Sequence, residues 1–198
     1  MSTEVPQRTD PIRRAVALVG SAGGLTAAST VLAALPAALG APLLVLLHLD
    51  PNHVSRLAEV LGRSTLLPVK QAESGDALVD GHVFVAPPAC HLLVTRDGAL
   101  ELGHGPPVQR LRPSADVLLT SLAVAYGSGT VAVILSGAGH DGAAGAAAVK
   151  LAGGLVIAQD EETAEYFGMP GAAIEEDAVD DVLPLGQVAG AVLRFVRA

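Results

Sequence analysis

Uninterrupted apolar runs alternate with helix-like segments along most of this chain. Ala15–Val19 and Pro42–His48 read as continuous buried strands, and Leu25–Leu35 between them reads as a helix. A second helix is expected over roughly Val54–Gly62 and a short strand at Leu67–Lys70. Strands that are apolar throughout, alternating with helices, indicate a parallel sheet covered on both faces. The middle departs from this pattern. His82–Ala86 and His91–Thr95 look like short strands, and Asp97-Gly98 turns into Ala99–Leu102, a hairpin signal that predicts an antiparallel excursion. Residues 103–113, rich in Gly and Pro, predict a surface loop. The alternation then resumes: a helix capped by Ser114 and running to about Tyr126, a strand at Thr130–Leu135, and a glycine turn from Gly137 to Gly142. A helix from about Ala143 to Leu151, a strand at Leu155–Ala158 and a last amphipathic helix at Leu185–Val196 complete the chain. Residues 1–14, polar and aperiodic with two prolines, predict a disordered lead-in, and residues 15–198 a single domain.

Composition narrows the reading. Of the 198 residues, 51% are hydrophobic and 16% charged, which marks a globular chain with a large core. Aromatic residues are only 3% and Trp is absent, so that core must be closely packed Ala, Val and Leu. A net charge of -8 argues against nucleic acid or an anionic membrane as a partner. The single cysteine, Cys90, excludes an intramolecular disulfide, fits a reducing cytoplasm and reads as a small buried apolar residue. Arg13-Arg14 followed by an uncharged stretch from Ala15 to Leu47 imitates an export signal or a membrane span. Gly20, Gly23, Gly24, Pro36 and Pro42 interrupt it, so neither export nor membrane insertion is expected. Between Lys150 and Arg194 no basic residue occurs, while acidic residues recur from Asp160 to Asp181; a solvated face explains this, with docking of a basic partner as the sharper alternative. No His or Cys pair has ligand spacing, and no metal or other cofactor is expected.

The candidate chemistry gathers at strand ends. Gly20-Ser21-Ala22-Gly23-Gly24 follows the first strand and opens the first helix, where unpaired N–H groups can face negative charge. Such a turn suits a phosphate or a serine nucleophile. His48 ends the second strand and Asp141 lies in the turn after Leu135; ligands of an open parallel sheet gather at these carboxyl ends, so the three residues can meet as nucleophile, base and orienting group. Each has a plainer reading: Ser21 as a helix N-cap, His48 as a hydrogen-bonded core histidine, Asp141 as the cap of the helix near Ala143. A dinucleotide site with Asp50 on a ribose is the rival, although the turn lacks the G-x-G-x-x-G spacing and no P-loop lysine is present.

Several ordered motifs together decide between these. Gly20-Ser21-Ala22-Gly23-Gly24, Leu47-His48-Leu49, Val85-Ala86-Pro87-Pro88, Arg112-Pro113-Ser114-Ala115-Asp116, Ser136-Gly137-Ala138-Gly139-His140-Asp141-Gly142-Ala143, Ala158-Gln159-Asp160 and Gly168-Met169-Pro170 resemble the catalytic domain of the chemotaxis protein-glutamate methylesterases. The resemblance spans about Val16 to Val196. Together, Ser21-Ala22 and His48-Leu49-Asp50-Pro51 are similar to the branch often fused to a methyltransferase and sensor domains. The resemblance implies an α/β, three-layer, doubly wound fold with Ser21 as nucleophile, His48 as general base and Asp141 as orienting carboxylate. It also implies methylated chemoreceptor cytoplasmic helices as substrate, in the cytoplasm, with glutamine deamidation in some members. Ala138 stands where the family usually has Met, and Ala22 where many members have Thr. A weakly active scaffold that docks partners is therefore the alternative to an esterase. The 14 residues before the first strand supply no receiver module, so regulation by phosphorylation within this chain is not expected.

Overall fold

The computed structural model describes residues 13–48 and 55–198. Most of the expected lead-in, together with Leu49, Asp50, Pro51 and Val54, lies outside the described residues. In chain order the elements are β1 (Ala15–Gly20), α1 (Gly24–Ala33), β2 (Leu43–Leu47), α2 (Leu57–Gly62), β3 (Val69–Gln71), β4 (Val83–Val85), β5 (His91–Val94) and β6 (Leu100–Gly103). There follow α3 (Ala115–Tyr126), β7 (Thr130–Ile134), α4 (Ala143–Leu151), β8 (Leu155–Gln159), α5 (Gly168–Glu175), β9 (Asp181–Leu183) and α6 (Leu185–Arg197).

Seven strands form one sheet in the order β3-β4-β2-β1-β7-β8-β9, and every pairing within it is parallel. The apolar sequences of β1 and β2, and of β7 after Thr130, follow from burial on both faces. Alternate residues serve opposite layers. Val16, Leu18, Leu43, Val45, Val131 and Val133 pack towards α1, α2 and α6. Ala17, Val19, Leu44, Leu46, Ala132 and Ile134 pack towards α3, α4, α5 and the hairpin. The architecture is thus the three-layer α/β fold expected.

Two features differ from the pattern reading. The hairpin β5–β6 forms a two-stranded antiparallel sheet of its own, while the preceding strand, β4, joins the parallel sheet between β2 and β3. The acidic stretch also holds a helix and a strand, α5 and β9, that periodicity does not announce. Gly168, Pro170 and Gly171 are poor helix formers, yet α5 forms because Met169, Pro170 and Ala173 are buried against the core.

Helices α3 and α4 approach closely at Gly145. A Cβ there would stand 2.7 Å from the Leu119 Cβ and 3.0 Å from the Asp116 Cα, neither of which can rotate away. Helix propensity favours Ala over Gly by about 1 kcal/mol. Overpacking of this kind costs about 1–3 kcal/mol, so steric repulsion wins: Gly145→Ala is expected to lower the urea midpoint rather than raise it.

The sheet order reverses beside β1, whose neighbours are β2 and β7. Gly20 pairs with Leu47 and Val19 with Ile134, so the turns after these three strands open on one edge of the sheet.

Candidate active site

The three residues selected from sequence all lie on that edge. Ser21 follows β1, His48 follows β2, and Asp141 sits in the turn between β7 and α4. The backbone ties them side by side: the His48 N–H donates to the Gly20 carbonyl at 3.2 Å, and the Ser21 N–H donates to the Ser136 carbonyl at 3.0 Å. His48 Nε2 and Asp141 Oδ2 are 2.8 Å apart, with Asp141 buried and His48 about 10% exposed. Among the described residues the half-buried Ser21 hydroxyl makes no hydrogen bond. His48 and Asp141 are therefore joined directly, and Ser21 reaches the same rim through its backbone.

Asp141 is held by more than His48. Its Oδ1 accepts from the Ser114 hydroxyl at 2.7 Å and the Asp116 N–H at 3.1 Å, and its Oδ2 accepts from the Ala115 N–H at 2.6 Å. These donors are the first turn of α3 and the residue before it, so Asp141 caps α3 and not the helix that follows it in sequence. Asp116, in the first turn of α3, returns the exchange: its Oδ1 accepts the N–H groups of Gly142 and Gly145 at the start of α4, at 2.9 and 2.8 Å. Two helix N-termini thus trade carboxylates. Each carboxylate meets the positive end of a helix dipole, and the turn carrying Asp141 is fixed from both sides.

The two aspartates respond differently to this environment. Burial alone raises the pKa of Asp141, but hydrogen bonds from His48, Ser114, Ala115 and Asp116 outweigh it and hold the carboxyl below its usual range. For Asp116 burial prevails, and the nearby charge of Asp141 adds to it; the Gly145 and Gly142 N–H groups only partly offset the rise. An ionised Asp141 requires the hydrogen on His48 Nε2, which leaves the Nδ1 lone pair as the basic site. Because Asn can still accept the Gly142 and Gly145 N–H groups, Asp116→Asn is expected to cost less than about 1 kcal/mol in urea unfolding. A larger loss would show that the charge of Asp116, and not only its acceptor, holds the turn.

The plainer readings of Ser114 and Ser21 also change. Neither side chain caps a helix: Ser114 spends its hydroxyl on Asp141, and the N-cap of α1 is Gly23. The Ser114 N–H in turn donates to Nδ1 of the buried His91, whose Nε2 meets the Pro106 carbonyl. With no side-chain cap on α1, its N-terminus opens on the rim. Among the described residues the Ala22 and Gly23 N–H groups have no acceptor, which suits them to a developing oxyanion.

Ser136 locks this turn. Its hydroxyl donates to the Ala22 carbonyl at 2.8 Å and accepts the Tyr166 N–H at 3.0 Å, while its own N–H donates to the buried Gln159 Oε1 at 2.9 Å. Gly137 has no room for a side chain, since a Cβ would meet the Met169 thioether and stand 3.0 Å from the Ser21 nitrogen. Sequence reasoning quoted the motifs containing Ser114, Asp116, Ser136 and Gln159 but gave these residues no part in the site. Only their shared placement around Asp141 and the Ser21 turn reveals one.

The model of the CheB methylesterase family matches residues 16–192. The chain belongs to the CheB methylesterase family. It is 39% identical over 181 residues to protein-glutamate methylesterase FrzG of Myxococcus xanthus, covering 91% of this chain and 54% of that protein. It is 41% identical over 186 residues to a protein-glutamate methylesterase/protein-glutamine glutaminase of Pectobacterium atrosepticum, covering 92% of this chain and 53% of that protein. The chain thus spans about half the length of the curated relatives it matches. The crystal structure of the Thermotoga maritima CheB methylesterase catalytic domain superimposes with a TM-score of 0.88 at 36% identity, covering 92% of this chain and 98% of that one. The CheB fold accounts for the parallel sheet and its small antiparallel partner.

Proposed function

We propose that this chain is a protein-glutamate methylesterase that hydrolyses glutamyl methyl esters on the cytoplasmic helices of chemoreceptors, in the cytoplasm, releasing methanol. The observation that carries the reading is the 2.8 Å His48–Asp141 pair, anchored on the α3 N-terminus beside the Ser21 turn. Ser21 Oγ attacks the ester carbonyl as His48 Nδ1 takes its proton, and the N–H groups of Ala22 and Gly23 stabilise the oxyanion. The C–OCH3 bond then breaks, and His48 returns the proton to the leaving methoxide as methanol. Water, deprotonated by His48, attacks the glutamyl-Ser21 ester and restores the serine. Removing one oxyanion donor from such a site typically costs about 3–4 kcal/mol. Relatives named for both methylesterase and glutaminase activity support glutamine side chains as a second substrate of the same chemistry.

A docking scaffold is the second reading. It is favoured by the exposed Ala138, a small side chain in the turn between β7 and α4. An activated alkyl fluorophosphonate separates the two: the esterase is expected to be labelled stoichiometrically at Ser21 within minutes, read by intact mass and peptide mapping. Absence of labelling in the folded protein would favour the scaffold.

A further inference from the structure

The segment 163–168 is strapped across the nucleophile turn. The Tyr166 N–H donates to Ser136 Oγ, and the Tyr166 carbonyl accepts the Gly137 N–H at 2.9 Å. This clamp fixes the preceding residue, Glu165, over Gly23. Gly23 has φ +75°, and a Cβ on it would lie 2.9 Å from Glu165 Cβ and 3.0 Å from Glu165 Oε2. A carboxylate therefore occupies the space beside the α-carbon of Gly23, two residues from Ser21. It is solvent-exposed, as are the next residue on the segment, Tyr166, and Leu25 in the first turn of α1, 46% and 42% exposed. The segment brings no counter-ion of its own, because no Lys or Arg occurs between Lys150 and Arg194.

We infer that Glu165 is a charge-selecting residue at the mouth of the site, admitting neutral acyl groups to Ser21 and repelling anionic ones. The inference rests on the esterase reading above and adds a reason for the residue. A glutamyl ester and a glutamine are both neutral, whereas the product of either is a carboxylate. A negative charge beside the oxyanion donors disfavours rebinding of that product and of unmodified glutamates alongside the target. Unit charges several ångströms apart at a wet surface change rates by about three- to tenfold, and such an effect fades in 1 M salt, where the Debye length is about 3 Å.

The test compares two alkyl fluorophosphonates of equal length, one ending in a primary amide and one in a carboxylate, by their second-order labelling rates at Ser21. In the wild type the amide probe is expected to react faster. Glu165→Gln, which keeps the side-chain shape, should raise the carboxylate-to-amide rate ratio about three- to tenfold. Glu165→Lys should raise it further, and 1 M NaCl should erase most of the difference. Glu162→Gln, an equal change of net charge just before the segment, should leave the ratio at the wild-type value. An unchanged ratio in both Glu165 variants, with labelling still lost in Ser21→Ala, would overturn the inference and leave the esterase reading intact. Labelling that persists in Ser21→Ala would instead overturn the esterase reading itself.

Discussion

Asp141→Asn is expected to lower ester hydrolysis by about 10^4-fold, the scale seen when the carboxylate of a serine–histidine pair is neutralised. The reason lies in the donors around the group. Asp141 accepts four hydrogen bonds, two on each oxygen, and asparagine has only one acceptor oxygen. If the amide nitrogen replaces Oδ1, it faces the Asp116 N–H, which cannot turn away. If it replaces Oδ2, it faces the Ala115 N–H and His48, and the imidazole can adapt only by moving its hydrogen to Nδ1. That tautomer has no lone pair for Ser21. An unpaired buried donor costs about 1–3 kcal/mol, so the variant is also expected to lose stability of that size at neutral pH.

The pH dependence separates the two effects. The Asp141 pKa is lowered by folding, so the stability it contributes is fully present above its unfolded value of about 4 and is lost as pH falls through the folded value. The stability gap between wild type and Asp141→Asn should therefore narrow below about pH 4. Asp116 has the opposite sign: its raised pKa means that stability declines as pH rises from the unfolded value through the folded one. Urea unfolding of both Asn variants between pH 3 and 7 checks the signs. A gap for Asp141→Asn that widens on acidification would contradict the electrostatic account.

Ser21→Ala carries the larger effect on chemistry and almost none on stability. The hydroxyl makes no hydrogen bond among the described residues, and Ser21 caps no helix. Its removal should shift unfolding by no more than about 0.5 kcal/mol. Hydrolysis should fall by at least about 10^4-fold, with only the oxyanion donors and substrate positioning left to act. A folded variant with near-zero turnover would isolate the nucleophile from the scaffold.

Most of the fold was legible because the sheet is buried on both faces. β1 and β2 are apolar at every position and β7 at every position after Thr130, short runs beside glycine turns that fit a strand buried on both faces. The segment from Gly168 to Leu183 was not legible, because α5 and β9 are held by tertiary contacts that override Gly, Pro and acidic composition. At the site, strand-end placement singled out Ser21, His48 and Asp141. The plainer alternative for the aspartate, a cap on the helix near Ala143, does not hold, because local capping rules consider only the helix that follows in sequence. The exchange of carboxylates between α3 and α4 joins residues 25 or more positions apart, which no local rule can read. Glu165 gave no signal for the same reason: only the strap across Gly23 turns a charge in an acidic run into part of the site.

The central claim is that Ser21, served by His48 and Asp141, cleaves a glutamyl methyl ester. Methanol release from a methylated chemoreceptor cytoplasmic fragment, measured for the wild type beside Ser21→Ala, tests it most directly. The account predicts steady release from the wild type and none above background from the variant. Equal release from both proteins, or none from the wild type while a known methylesterase cleaves the same fragment, would contradict it.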